Sequence, residues 1–261
     1  MTIFTLILAI ANLLLFLSKA SSIDTLTLSQ SLPDGTTLVS KDETFELGFF
    51  SLRNSTNRYL GIWFKNIPWS TNTTTKASRL ILQLLNTGNL VLRNDNDDSK
   101  NNNKSSNNNN EDRFLWQSFD YPSHASLPGM KLGWYRKTGL NRRVIAWKNW
   151  DDTSPGNFSW GITFDSNPEM VLWKGSFKYH RSGPWKGIRF SGAFCGSNRL
   201  STHPLFVYKL INNDDEVYYS YSLTIKSVIS TVVMNQTLLR HQRNIWIPEN
   251  GTWRLFQTGS Y

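Results

Sequence analysis

The sequence predicts an all-β protein. Short apolar segments, rich in β-branched and aromatic residues, alternate with Gly, Asn, Asp and Pro turns along the chain. Aromatic residues make up 13% of it. No stretch carries three turns of the apolar periodicity that an amphipathic helix requires.

Strands are expected, in order, at 25–28, 44–50, 58–64, 79–84 and 89–93, then at 143–147, 169–173, 205–210, 216–225 and 227–233. Two turns are legible in detail. Pro33-Asp34-Gly35 and Asn86-Thr87-Gly88-Asn89 place glycine where a positive φ closes a hairpin. The run 94–110 is almost entirely Asn, Asp, Ser and Lys. It buries too little apolar area to offset its ordering entropy, so a disordered surface loop is expected. The segment Arg181-Ser182-Gly183-Pro184-Trp185-Lys186-Gly187-Ile188-Arg189-Phe190-Ser191-Gly192 interleaves aromatic and basic residues with glycines. That spacing suits irregular turns pinning large side chains, serving either as a junction between two sheets or as a ligand-contacting loop.

The chain of 261 residues opens on an apolar run, 3–17, followed by Ser18-Lys19-Ala20-Ser21-Ser22. This reads as a secretory signal over residues 1–22; a membrane anchor would want about 18 or more uninterrupted apolar residues. No later stretch is long and apolar enough to span a bilayer, so a secreted, extracellular product is expected. Six N-x-Ser/Thr sequons, at Asn54, Asn72, Asn103, Asn157, Asn235 and Asn250, agree with a glycoprotein. A single cysteine, Cys195, excludes an internal disulfide framework. It is expected as a buried free thiol, with intermolecular pairing as the alternative. The formal net charge of +9 suits acidic partners at a wall or on a ligand. The Lys and Arg are scattered rather than gathered in a tract, and nucleic acid is not an expected partner.

A second set of strings carries a resemblance. Leu115-Trp116-Gln117-Ser118-Phe119-Asp120-Tyr121-Pro122 leads through Leu127-Pro128-Gly129-Met130-Lys131-Leu132-Gly133-Trp134 to Lys137-Thr138-Gly139-Leu140-Asn141-Arg142. Upstream stand Phe45-Glu46-Leu47-Gly48-Phe49-Phe50 and Tyr59-Leu60-Gly61-Ile62-Trp63-Phe64. Together, from about Asp24 onward, these closely resemble the ectodomain of plant S-locus glycoproteins and G-type (bulb-type) lectin S-receptor-like kinases. The resemblance implies a bulb-type lectin domain over 23–134, a β-prism of three four-stranded sheets. It also implies a β-rich S-locus glycoprotein domain over 135–261.

The chain departs from that family in three places. Family members follow the Gly-Ile-Trp-Phe strand with a Trp-Val-Ala-Asn-Arg segment and a further Gly-Asn-Leu hairpin. Here Asn66-Ile67-Pro68 runs directly into Trp69-Ser70-Thr71-Asn72. Such an internal deletion, real or from a misread gene, removes prism strands and is expected to leave open edges and an open core. Mannose-binding relatives carry Gln-x-Asp-x-Asn-x-Val-x-Tyr on one strand, which presents polar groups on one face. The corresponding positions are Leu85, Thr87, Asn89, Val91 and Arg93, of which Asn89 and Val91 match. These two are a degenerate carbohydrate site, and mannose binding in the family manner is not expected. Finally, the sequence stops after Trp253-Arg254-Leu255-Phe256, before the cysteine-rich modules of the family, and contains no Gly-rich phosphate loop or His-Arg-Asp string.

No catalytic constellation stands out. His124, His180, His203 and His241 lack metal-ligand spacing, no Gly-x-Ser-x-Gly elbow occurs, and no cofactor is implied. Asp120 is expected as a turn residue bonding nearby backbone amides. Strand tryptophans such as Trp63, Trp147 and Trp173 are expected in the core, while Trp134 and Trp185, beside glycines, are the interface candidates. The expectation is therefore a non-catalytic recognition glycoprotein of the kind used in pollen recognition or defence. Its partner would be an extracellular peptide or protein ligand or a receptor-kinase ectodomain, and it could form a homodimer. A glycan-binding lectin and a non-functional receptor fragment are the alternatives.

Overall fold

A computed structural model describes residues 24–51 (except 28 and 34), 59–64, 80–94, 114–192 (except 164, 166 and 189) and 204–258. The expected signal segment, Cys195, His203, the sequons at Asn54, Asn72 and Asn103, the junction at 66–72 and the Asn-rich run beyond Asn94 lie outside them.

The described chain is all-β, as the residue pattern requires, and every paired strand is antiparallel. The N-terminal unit holds β1 (Thr25–Thr27), β2 (Thr37–Val39), β3 (Glu46–Phe50), β4 (Tyr59–Trp63), β5 (Leu80–Leu84), β6 (Leu90–Asn94) and β7 (Trp116–Gln117). These form two sheets, ordered β1-β5-β6-β7 and β2-β3-β4. A 3-10 turn, Ser118–Asp120, then leads into the rest of the chain.

The remaining strands are β8 (Ala125–Ser126), β9 (Leu132–Tyr135), β10 (Leu140–Arg142), β11 (Val144–Asn149), β12 (Asp152–Ile162), β13 (Glu169–Lys174), β14 (Phe177–Pro184), β15 (Phe206–Asn212), β16 (Glu216–Leu223), β17 (Ser230–Asn235), β18 (Arg240–Ile247) and β19 (Thr252–Thr258). They make three four-stranded sheets, β10-β9-β16-β15, β11-β12-β13-β14 and β19-β18-β17-β8. Leu132, Ala146, Trp160, Leu172, Val217, Val232 and Ile245 meet in one core to which all three sheets contribute. A closed three-sheet prism thus stands in the C-terminal half. Strand β9 runs across residue 134, β7 pairs with β6, and β8 pairs with β17.

The expected open core of the N-terminal unit has a third wall. Leu38, Phe45, Leu47, Ile62, Phe64, Leu84 and Leu90 form its centre, and Trp246 of β18 is buried among them. Trp253 of β19 and Ile229 pack on the same cluster. Alternation along β18 explains this: Ile245 points into the C-terminal core and Trp246 to the opposite face. Strand β17 is buried from end to end, as a strand covered on both faces should be.

Several local expectations need correction. The segment 181–192 is not irregular from its start, since Arg181 to Pro184 complete β14 and only then does the chain turn, with Trp185 bridging back to Phe190. Trp147 and Trp173 are buried, but Trp63 is half-buried. The Asp120 carboxylate does not cap backbone amides; it accepts a 2.6 Å hydrogen bond from Arg142 Nε.

Candidate functional site

The Asn86-Thr87-Gly88 hairpin folds as its residues predict. Gly88 N–H donates to Leu85 and Leu85 N–H to Asn89, closing a three-residue loop with Gly88 at φ +81°. A Cβ at Gly88 would sit 2.8 Å from the Phe45 ring, so the position excludes side chains twice over. The loop delivers Asn89 to the start of β6.

Asn89 ties this hairpin to the 3-10 turn. Its Nδ2 donates to Gln117 Oε1 at 2.9 Å, and its Oδ1 accepts from Ser118 Oγ and from the Phe119 backbone N–H, both at 3.1 Å. Asn89 is 5% exposed and Val91 is fully buried. The two positions that match the mannose motif therefore carry turn geometry and core packing, and neither offers a free face to a sugar ring.

Beside them lies a cavity of about 240 Å³, lined by the hairpin, by the 114–120 segment and by the C-terminal prism. Thr87 and Asn89 come from the first, Gln117, Phe119 and Asp120 from the second, Lys131 and Arg142 from the third. Arg142 is 6% exposed, held by Asp120 through Nε, with its guanidinium 6.0 Å from the Tyr135 ring centre. Its Nη1 has no hydrogen-bond partner among the described residues. Lys131 Nζ pairs with both Glu216 oxygens at 3.1 and 3.2 Å and lies over the Tyr218 ring. The Asp120–Arg142 pair ties the 3-10 turn to the prism wall, whereas Lys131 and Glu216 pair within the prism.

Trp134 and Trp185 do not join this cavity. Trp134 is half-buried in β9, donates its indole N–H to Ile162 O at 3.2 Å, and is covered by the Arg143 guanidinium 5.8 Å from its ring centre. Trp185 packs edge-on against Phe190 at 5.0 Å and near Tyr219. Among the described residues, Phe177 and Trp150 are the most exposed large aromatics. Of the described sequons, Asn157 and Asn250 are exposed, whereas Asn235 is buried with its amide donating to Gln242 and accepting from Leu238 N–H. No group of His, Cys, Asp or Glu among the described residues could hold a metal ion.

Sequence reasoning missed Lys131, Arg142 and the pairing role of Asp120. The three strings that contain them are legible in the sequence, but no spacing rule links an acid in a turn to an arginine on a strand of another sheet.

Sheets of this kind, with a Gly-Asn hairpin leading the strand, define a bulb-lectin type of all-β protein. A family profile described as D-mannose binding lectin matches residues 44–148, and one described as S-locus glycoprotein domain matches residues 180–260. The chain is homologous to S-locus glycoproteins and to the ectodomain part of G-type lectin S-receptor-like kinases. It is 36% identical to the S-locus-specific glycoprotein S6 of Brassica oleracea, over 93% of this chain and 62% of that protein. It is 35% identical to the receptor-like serine/threonine-protein kinase SD1-8 of Arabidopsis thaliana, over 94% of this chain and 32% of that one. The G-type lectin S-receptor-like serine/threonine-protein kinase SRK of Arabidopsis thaliana is 32% identical, over 94% and 31% respectively. The chain thus spans less than two thirds of these relatives' length. No helix among the described residues is long and apolar enough to cross a membrane.

Proposed function

We propose that this chain is a secreted, non-catalytic recognition glycoprotein acting at the plant cell surface. The observation that carries this reading is the joint presence of the lectin and S-locus glycoprotein domains, in an alignment that covers 93% of the chain with an S-locus-specific glycoprotein. Its partner is an extracellular peptide or protein, or the ectodomain of a related receptor kinase, and a homodimer is one form it can take. Leu85 and Thr87 in place of the mannose-motif Gln and Asp, together with buried Asn89 and Val91, disfavour mannose recognition as the primary activity.

The test is binding of the secreted, glycosylated chain to the immobilised SD1-8 ectodomain, with light scattering on the free chain. Saturable binding, or a stable dimer, supports the reading. A folded monomer that binds neither this ectodomain nor a panel of extracellular peptides refutes it.

A further inference from the structure

The outer face of the sheet β11-β12-β13-β14 carries charge that the described fold does not neutralise. Cross-strand register fixes what lies on it, because directly paired residues point to the same side. Ile145, Ser159, Trp173 and Lys178 form one row across the four strands, and Gly161, Val171 and Arg181 form part of the next. Trp160 and Leu172 point the other way, into the prism core. Arg143 lies across the outer face. A Cβ built on Gly161 would sit 2.8 Å from Arg143 Cγ and 3.6 Å from its Cβ and Cδ, so the glycine leaves a trough for the arginine stem. The guanidinium stands 3.9 Å from the ring centre of buried Trp173 and 5.8 Å from that of Trp134, both within the cation–π range of roughly 6 Å. Its Nε is enclosed without a partner, yet the residue as a whole is half-buried. With the stem on Gly161 and Nε enclosed, solvent meets the Nη end.

Among the described residues Arg143 forms no ion pair or hydrogen bond, and exposed Lys178 forms no ion pair. Arg181 differs, since its Nε donates to Glu169 Oε1 at 2.7 Å. Two uncompensated cations thus share one sheet face, with exposed Ile145 and half-buried Trp134 beside them. A guanidinium stacked on a ring keeps its edge N–H groups for a carboxylate. The apolar neighbours favour a peptide over a polyanion without apolar side chains. We propose that this face binds an acidic, extended segment of a protein partner, with carboxylates at Arg143 and Lys178 and an apolar side chain on Ile145 or Trp134. This deepens the functional reading above and rests on it, since the partner there is an extracellular peptide or protein.

The experiment is calorimetric titration of the secreted, glycosylated chain with acetyl-Glu-Ser-Glu-Ser-Leu-amide, whose alternate residues share one side when extended. It is expected to bind at least about ten-fold more tightly than the peptide with Gln for Glu, a difference of about 1.4 kcal/mol. Affinity should fall as salt is raised. Lys178→Glu is expected to cost about ten-fold or more with an unchanged melting temperature. Gly161→Ala keeps both charges but lifts Arg143 from its trough, and is expected to cost about three-fold or more. Lys226→Glu, in the exposed β16–β17 turn, makes the same change in net charge and should leave affinity as it is. Equal binding of the Gln peptide, undiminished binding in Lys178→Glu or Gly161→Ala, or an equal loss in Lys226→Glu overturns the proposal. Binding of polygalacturonate in place of the peptide overturns it too, by assigning the face to a polyanion. Binding of the SD1-8 ectodomain that Lys178→Glu leaves unchanged, with none of the peptide, overturns this face alone. A folded chain that binds neither overturns the recognition role as well.

Discussion

The ring of Phe64, just past the end of β4, meets the indole of Trp246 in β18 edge-on, with centroids 5.2 Å apart and planes at 85°. Trp253 of β19 completes the cluster at 5.5 Å from Phe64 and 5.6 Å from Trp246. These contacts join the core of the N-terminal unit to a sheet of the C-terminal prism. Replacing Trp246 by Ala removes an indole buried in this cluster and is expected to cost about 3–5 kcal/mol. For a chain of this size that is a fall of roughly 10 °C in melting temperature. Calorimetry checks both the size of the fall and its form. One transition is expected in the parent protein; two separate transitions there would show that the units unfold independently.

Asn89 offers a sharper local test. Asn89→Ala removes the acceptor of the buried Phe119 N–H and of Ser118 Oγ, as well as the donor to Gln117. A loss of about 1–3 kcal/mol is expected in urea denaturation. Asn89→Asp keeps the acceptor and should lose less, whereas a role confined to ligand contact would leave both variants as stable as the parent.

Acid should destabilise the fold through two histidines. Burial pushes His124 down to about 3, and burial together with the charges of Arg243 and His180 does the same to His241. Both are neutral in the folded chain and titrate near 6.5 when unfolded, so the unfolded state binds more protons between pH 6.5 and 3. Stability is full above pH 6.5 and falls below it, by up to about 1.4 kcal/mol per pH unit for each histidine. Denaturant midpoints measured from pH 7 to 4.5 should follow that slope. His124→Gln, whatever it does at pH 7, should flatten the slope by about half.

Glycan mapping separates the sequons by burial. Asn157 and Asn250 present exposed side chains, and at Asn250 the Thr252 hydroxyl already donates to the amide oxygen at 3.0 Å. Asn235 spends its amide on Gln242 and Leu238 inside the β17–β18 turn. Peptide mass spectrometry of the folded, secreted chain is expected to find sugar at Asn157 and Asn250 and none at Asn235.

Much of this fold is legible where one residue type does one job. Strands β3 to β6 and β13 declare themselves by apolar and β-branched residues, and Gly88 by the turn it must close. Strand β18 does not, because Arg240-His241-Gln242-Arg243-Asn244 reads as polar loop. Its polar side chains are buried by stacking: the Arg243 guanidinium lies 4.4 Å from the Phe206 ring centre and 4.2 Å from that of Tyr221, and the neutral His241 ring stacks on Trp160. Strand β12 is masked by Pro155 and Gly156, which its partner β11 accommodates by shifts of register around Trp147. The cavity was illegible for a different reason. Asp120 and Arg142 meet only once the 3-10 turn is set against the prism, and that placement depends on the whole fold rather than on any window of sequence.

The sheet β19-β18-β17-β8 has consequences for how such a chain can change over generations. A partition shared by two rooms cannot be moved for the sake of one. A substitution in β17 or β18 that suits the prism is judged at once by the aromatic cluster behind it, so these strands should tolerate less drift than any outer strand.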